Sequence, residues 1–137
     1  METTIKVFSD GGARGNPGPA AVGVVAYRGS DELFRISKCI GNTTNNVAEY
    51  TALIYALDKI IDLHATGHPV LFHLDSELVV KQLNGEYKVK DHNLKLLYER
   101  ALSNVAKIST VEFRHVRREQ NKVADMLVNE ALDKEGR

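Results

Sequence analysis

The 137-residue chain predicts an α/β fold, a mixed five-stranded sheet with helices packed on it. Three observations carry this prediction. Three short apolar runs come first and are joined by turn residues alone, the pattern of an antiparallel meander. Two further apolar runs each follow a segment of helical periodicity, so each should lie parallel to an inner neighbour. No repeat, linker or low-complexity tract interrupts the order, and the length suits one domain spanning 1–137.

Thr4 to Ser9 reads as the first strand. Gly11-Gly12-Ala13-Arg14-Gly15-Asn16-Pro17-Gly18-Pro19 is dense in glycine and proline and reads as a loop. Ala21 to Tyr27 is Val-rich and forms the second strand. Arg28-Gly29-Ser30-Asp31 is a hairpin turn, and Leu33 to Ile40 the third strand. Gly41 to Asn46 is a polar turn rich in helix-capping residues. A helix follows from about Asn46 to Leu63, with Leu53, Ala56, Leu57, Ile60 and Ile61 as its apolar stripe. Gly67 and Pro69 end that segment, and Val70 to Leu74 is the fourth strand. Ser76 caps a short helix that stops near Asn84-Gly85. Asp91 or Asn93 caps the next, which places Leu94, Leu97, Ala101 and Leu102 on one side. Thr110 to Val116 is the fifth strand. Asn121 caps the last helix, from which Val123, Leu127 and Leu132 pack inward.

Lysine plus arginine and aspartate plus glutamate both number 18, so the formal net charge is zero. That balance argues weakly against a nucleic-acid binder. It misleads if several acids crowd into one site, because the remaining surface is then net basic. The single cysteine, Cys39, excludes an intrachain disulfide and reads as a small core residue. No apolar signal segment and no span of membrane length is present, so the expected protein is cytoplasmic and contacts no membrane.

Two strands end alike, Ile5-Lys6-Val7-Phe8-Ser9-Asp10 and Val70-Leu71-Phe72-His73-Leu74-Asp75. Sites in open α/β sheets lie at the carboxyl ends of strands. As parallel neighbours, these two ends would stand ~4.8 Å apart. Carboxylates that close persist only with a cation between them or with one protonated. Glu49 in the first turns of the long helix and Asp125 in the first turns of the last can reach the same sheet edge. Oxygen-only ligands suit Mg²⁺ or Mn²⁺. Taken singly, each acid has a plainer reading as a turn, cap or helix-dipole residue.

The blocks around these acids decide between the readings. Asp10-Gly11-Gly12-Ala13-Arg14-Gly15-Asn16-Pro17-Gly18-Pro19-Ala20, Thr43-Thr44-Asn45-Asn46-Val47-Ala48-Glu49, Asp75-Ser76 and Asn121-Lys122-Val123-Ala124-Asp125 together resemble a type 1 ribonuclease H. The resemblance covers essentially the whole chain. It implies a ribonuclease H-like fold with strand order 3-2-1-4-5 and helices on both faces. It implies an endonuclease that hydrolyses the RNA strand of RNA/DNA hybrids with two Mg²⁺ or Mn²⁺ ions, leaving 5′-phosphate and 3′-hydroxyl ends. The family's four carboxylates carry over to Asp10, Glu49, Asp75 and Asp125. Substrate contacts carry over to Gly11, Asn16, Asn45 and Asn46 along the hybrid's minor groove and to Thr44 at a phosphate. Asn16 can also be a turn residue, and Asn45 and Asn46 can be cap residues. The implied protein acts as a monomer.

The chain departs from the family pattern twice. Lys81-Gln82-Leu83-Asn84-Gly85-Glu86-Tyr87-Lys88-Val89-Lys90 is too short for the basic protrusion that many members carry, so this is a short form. Lys81, Lys88, Lys90 and Lys95 either replace part of that charge or form an ordinary solvated surface. The loop before the last helix is only Arg117-Arg118-Glu119-Gln120, shorter than the family's histidine-bearing loop. His115 therefore reads as a strand residue, and Arg118 as the group that donates to phosphate oxygens. A junction resolvase or integrase core would share the fold, but the T-T-N-N block and the Gly-Asn-Pro-Gly loop favour the hybrid-directed enzyme. A non-catalytic binding domain would have no reason to keep four repelling carboxylates.

Overall fold

The computed structural model describes residues 3–135. Its elements are β1 (Ile5–Ala13), β2 (Gly18–Arg28), β3 (Asp31–Thr43), α1 (Asn45–Asp62), β4 (Pro69–Leu74), α2 (Glu77–Leu83), α3 (His92–Val105), β5 (Thr110–His115) and α4 (Lys122–Glu135). A single 3₁₀ turn, Arg118–Gln120, precedes α4. The five strands form one sheet in the order β3-β2-β1-β4-β5. The β1–β2 and β2–β3 pairs are antiparallel, and β1–β4 and β4–β5 are parallel. The mixed sheet and its 3-2-1-4-5 order are as expected.

The sheet's two faces are covered unequally. Val22, Val24 and Ala26 of β2 join Ile5, Val7, Val70 and Phe72 in a large buried cluster closed by α1, α2 and α3. Residues of α1 from Ala48 to Ile60 are buried in step with the helical period, including Leu53, Leu57 and Ile60. Its alanines let the helix lie close to the strands. On the other face, α4 seals a small cluster of Ala21, Val128, Ala131 and Leu132, with Cys39 packed against it. Cys39 is half-buried and donates its thiol hydrogen to the Ala131 carbonyl at 3.1 Å.

Three strand boundaries differ from the sequence expectation: the end of β1, the start of β2 at Gly18 and the end of β3. Gly11-Gly12-Ala13 do not form a loop. They continue β1, paired with Val22, Ala21 and Ala20, so the connection shrinks to Arg14–Pro17. Glycine is weak in a strand by itself, but here it is needed for space. A Cβ on Gly11 would lie 2.2 Å from the Ala48 backbone of α1, and one on Gly23 would lie 2.2 Å from the Ala124 carbonyl of α4. Likewise β3 runs on to Thr43 instead of stopping at Ile40, because β2 extends far enough to pair Gly18 with Thr43.

The caps follow the sequence with one exception. Thr44, Ser76 and Asp91 accept from the backbone N–H of Val47, Val79 and Leu94 and so start α1, α2 and α3. Asn121 occupies the corresponding position before α4, but its side chain does not cap. Its Nδ2 donates to the Ser9 carbonyl at 2.9 Å, and its buried Oδ1 has no partner among the described residues. No described helix is long and apolar enough to cross a membrane.

Candidate active site

The parallel register positions the first pair of acids. The β1–β4 pairing runs from Ile5 opposite Val70 to Ser9 opposite Leu74. The next residue on each strand is Asp10 and Asp75, which places them side by side where the parallel ladder stops. Antiparallel pairing with Gly23 keeps Asp10 inside β1, so its backbone is fixed on the other side as well. Glu49 arrives from the second turn of α1. The Gly11 N–H donates to Glu49 Oε1 at 2.5 Å, and the missing Gly11 side chain is what admits α1 to that distance. One carboxylate oxygen each from Asp10, Glu49 and Asp75 lies within 4.8 Å of the others.

Asp125 lies outside that tight group. It lines the same cleft from the first turn of α4 and is half-buried. The cleft encloses about 390 Å³ and is also bordered by Asn45, Arg14 and Arg118.

The electrostatics are those of crowded, partly desolvated carboxylates. Burial, and then the charge of Asp75, pushes the Asp10 carboxyl up to about 7. Burial and the neighbouring Asp10 raise Glu49 well above the usual carboxylate range. Burial raises Asp75 too, opposed by the Asn121 amide and the Arg118 guanidinium. Oε2 of Glu49 is buried without a hydrogen-bond partner among the described residues. Buried polar atoms are nearly always satisfied, so an orphaned carboxylate oxygen beside two more carboxylates fits a cation. The donors are all oxygens, which suits Mg²⁺ or Mn²⁺. These acids therefore fit the expected metal ions on an observation of their own.

The remaining predicted residues fall into two groups. Asn45, Asn46 and Gly11 line the cleft. Asn16 is not part of the cleft wall but holds Asn45, which is: the Ala13 N–H donates to Asn45 Oδ1 at 2.8 Å, and the Asn45 N–H donates to Asn16 Oδ1 at 3.0 Å. Both amide oxygens are thus spent on holding the β1–β2 loop to the start of α1. Their Nδ2 groups are not used in those bonds. The Gly11 amide is likewise engaged inside the site by Glu49. Thr44 Oγ1 caps α1. His115 is the exposed last residue of β5 and is not part of the cleft wall, whereas Arg118 is.

Sequence reasoning missed two features. Asn121 stands where the sequence expects a cap, yet it ties the root of α4 to β1 one residue before Asp10 and stands beside Asp75. The spacing Asn121-Lys122-Val123-Ala124-Asp125 held the signal. Arg14 also lines the cleft, bonded through Nη2 to Asp133 Oδ1 at 2.6 Å and Asn129 Oδ1 at 3.4 Å. Its partners are more than a hundred residues away in sequence, so no local pattern reports them.

A profile of the family described as reverse transcriptase-like matches residues 8–131. A Halobacterium salinarum protein named ribonuclease HI is 40% identical over 130 residues, 94% of this chain and 64% of that protein. A bifunctional protein of Mycobacterium tuberculosis is 42% identical over 131 residues, 94% of this chain but 35% of its own length. The chain thus spans about a third of the first curated relatives it matches. Among solved structures, LC11-RNase H1 in complex with an RNA/DNA hybrid superposes with a TM-score of 0.93 at 43% identity, covering 97% of this chain and 99% of that one. The Halobacterium salinarum RNase H1 crystal structure gives 0.90 at 39%, covering 96% and 98%.

Proposed function

The chain belongs to the type 1 ribonuclease H family, and from that premise we propose that it hydrolyses the RNA strand of RNA/DNA hybrids as an endonuclease. The observation that carries the reading is the meeting of Asp10, Glu49 and Asp75 within 4.8 Å where the β1–β4 ladder ends. Asp10, Glu49, Asp75 and Asp125 would hold two Mg²⁺ or Mn²⁺ ions once substrate is bound. Bound there, such ions supply activation of a water and charge neutralisation at the leaving oxygen. In that scheme water rather than the ribose 2′-OH is the nucleophile and the 3′ oxygen is the leaving group, so the ends would be 5′-phosphate and 3′-hydroxyl.

The chain's own residues do the rest. Arg118 donates to phosphate oxygens at the scissile group, a role open to a guanidinium at any working pH. The Nδ2 groups of Asn16, Asn45 and Asn46, with the backbone at Gly11, sense the minor groove. The 2′-OH displayed there is what distinguishes RNA from DNA at a given site. Thr44 steadies a phosphate of the opposite strand. The protein acts as a monomer in the cytoplasm, and 1–137 is one domain.

Strand-specific labelling tests this. A hybrid is tagged on each strand in turn and incubated with and without Mg²⁺. The expected result is fragments from the RNA strand alone, only with the metal, ending in 5′-phosphate and 3′-hydroxyl. Cleavage of the DNA strand, or 2′,3′-cyclic phosphate products, would overturn the reading.

A further inference from the structure

The cleft that holds the acids has two cations among its described lining residues, Arg118 and Arg14. Arg118 stands just before α4. Arg14 stands beside the far half of that helix, where Nη2 meets Asp133 Oδ1 at 2.6 Å and Asn129 Oδ1 at 3.4 Å. Asp125 lies between them on the same helix. Asn129 and Asp133 are one and two turns beyond it, roughly 6 and 12 Å along the helix axis at 1.5 Å per residue.

We propose that Arg14 is a second phosphate-binding residue, one that leaves Asp133 to take a backbone phosphate flanking the scissile one on the same strand. The inference rests on the hydrolase reading above. Two observations and two general arguments support it. The ion pair is exposed on both sides, with side-chain exposures of 49% and 68%, and pairs of that kind are weak and easily exchanged. Both bonds leave from Nη2 alone, one of the guanidinium's nitrogens, so most of its five donors stand outside this pair. A fork of donors matches a phosphate bidentately. Finally, the cleft is dominated by carboxylates, and a polyanion can settle there only where cations offset them.

The same ion pair has a plainer use, as a latch fastening the β1–β2 loop to α4. The two roles separate experimentally. If Arg14 binds phosphate, Asp133 merely holds it between turnovers, and Asp133→Asn should leave KM for the hybrid unchanged or lower it. If the pair is a latch, Asp133→Asn should behave like Arg14→Ala.

The experiment is steady-state cleavage of a labelled hybrid by the full chain and by Arg14→Ala, Arg14→Lys and Asp133→Asn, each across a salt series. Arg14→Ala should raise KM about tenfold with kcat changed little, the scale of one charge-assisted hydrogen bond. Its plot of log kcat/KM against log salt should flatten by about 0.7–0.9, the counterion release of one phosphate contact. Arg14→Lys should restore the salt slope and part of KM. An unchanged slope in Arg14→Ala, or an Asp133→Asn variant that copies its KM defect, would overturn the assignment. Thermal melts of all three variants exclude misfolding as the cause. Should the unsubstituted chain fail to cut the hybrid, the hydrolase reading itself falls. Failure confined to the variants falls on Arg14 alone.

Discussion

The two helices that deliver acids to the cleft from opposite faces of the sheet are attached very differently. Glu49 rides on α1, whose residues Leu53, Leu57 and Ile60 sink into a core shared by the strands, α2 and α3. Asp125 rides on α4, which buries Ala124, Leu127, Val128, Ala131 and Leu132 and closes a smaller cluster with Ala21. Polar contacts make up part of the difference: Ser37 donates to the Leu127 carbonyl at 2.6 Å, and Asn121 to the Ser9 carbonyl at 2.9 Å. The acid on the deeply packed helix is locked into the tight group by the Gly11 amide. The acid on α4 stands outside it. The larger core and the Gly11 amide together place Glu49 in the tight group, whereas no such backbone donor is recorded for Asp125 among the described residues.

The largest effects should separate the inner acids from the outer one. Asp10→Asn and Asp75→Asn should each lower turnover at least about 1000-fold, since both sit where charge must be stabilised. Asp125→Asn should cost about 10- to 100-fold. Single-turnover cleavage of the labelled hybrid measures all three. Equal losses across the set would erase the distinction between the helices.

The short loop before α4 gives the next effect. Arg118→Ala should reduce turnover about 10- to 1000-fold, the range for losing a charge-stabilising donor at a reacting phosphate. His115→Ala should do little and should leave the shape of the pH–rate profile unchanged. Crippling by His115→Ala with Arg118→Ala nearly silent would reverse those assignments.

Stability sharpens the comparison directly. Leu57→Ala on α1 should cost about 2–5 kcal/mol in denaturant unfolding, the usual range for a fully buried leucine. Leu132→Ala on α4 should fall at or below the lower end of that range, because the small cluster around it near the helix end can collapse more easily. A larger loss at Leu132 would mean that α4 is the better anchored helix.

The smallest effect is on pH. Burial and neighbouring charge hold the folded Asp10 carboxyl near 7, above its ordinary 3.8. A raised carboxyl binds its proton more tightly in the folded state. Its stabilising contribution is therefore complete below about pH 4 and lost as the pH climbs through 7. Without divalent ions, the melting temperature should fall between pH 5 and pH 8, and Asp10→Asn should flatten that fall. Added Mg²⁺ should also remove it, by binding only the folded site. A melting temperature that rises over the same range without divalent ions would place the dominant titration elsewhere.

Much of this was legible in the residues themselves. Short apolar runs marked the five strands, apolar stripes and capping residues marked the four α-helices, and Asp10 and Asp75 announced a site by ending two apolar runs alike. What escaped was set by contacts distant in sequence. Gly11 and Gly12 looked like loop because glycine punctuates turns, yet the pairing with Ala21 and Val22 and the approach of α1 hold them extended. Asn121 looked like a cap because of its place in the chain, but the Ser9 carbonyl claims its amide. Gly23 gave no hint that α4 would press on it backbone to backbone, since its close neighbour, the Ala124 carbonyl, is about a hundred residues away in sequence.

The absent side chain at Gly11 also has a mechanical meaning. With no Cβ there, strand and helix bear directly on each other, backbone to backbone, like two machined faces without a shim. The spacing of Asp10 and Glu49 is then set by the thickness of the polypeptide itself. A single methyl inserted at that joint would lift the helix bodily away from the strand. The site could therefore be put out of adjustment with every carboxylate still in the sequence, and an inventory of catalytic residues would pronounce such a protein intact.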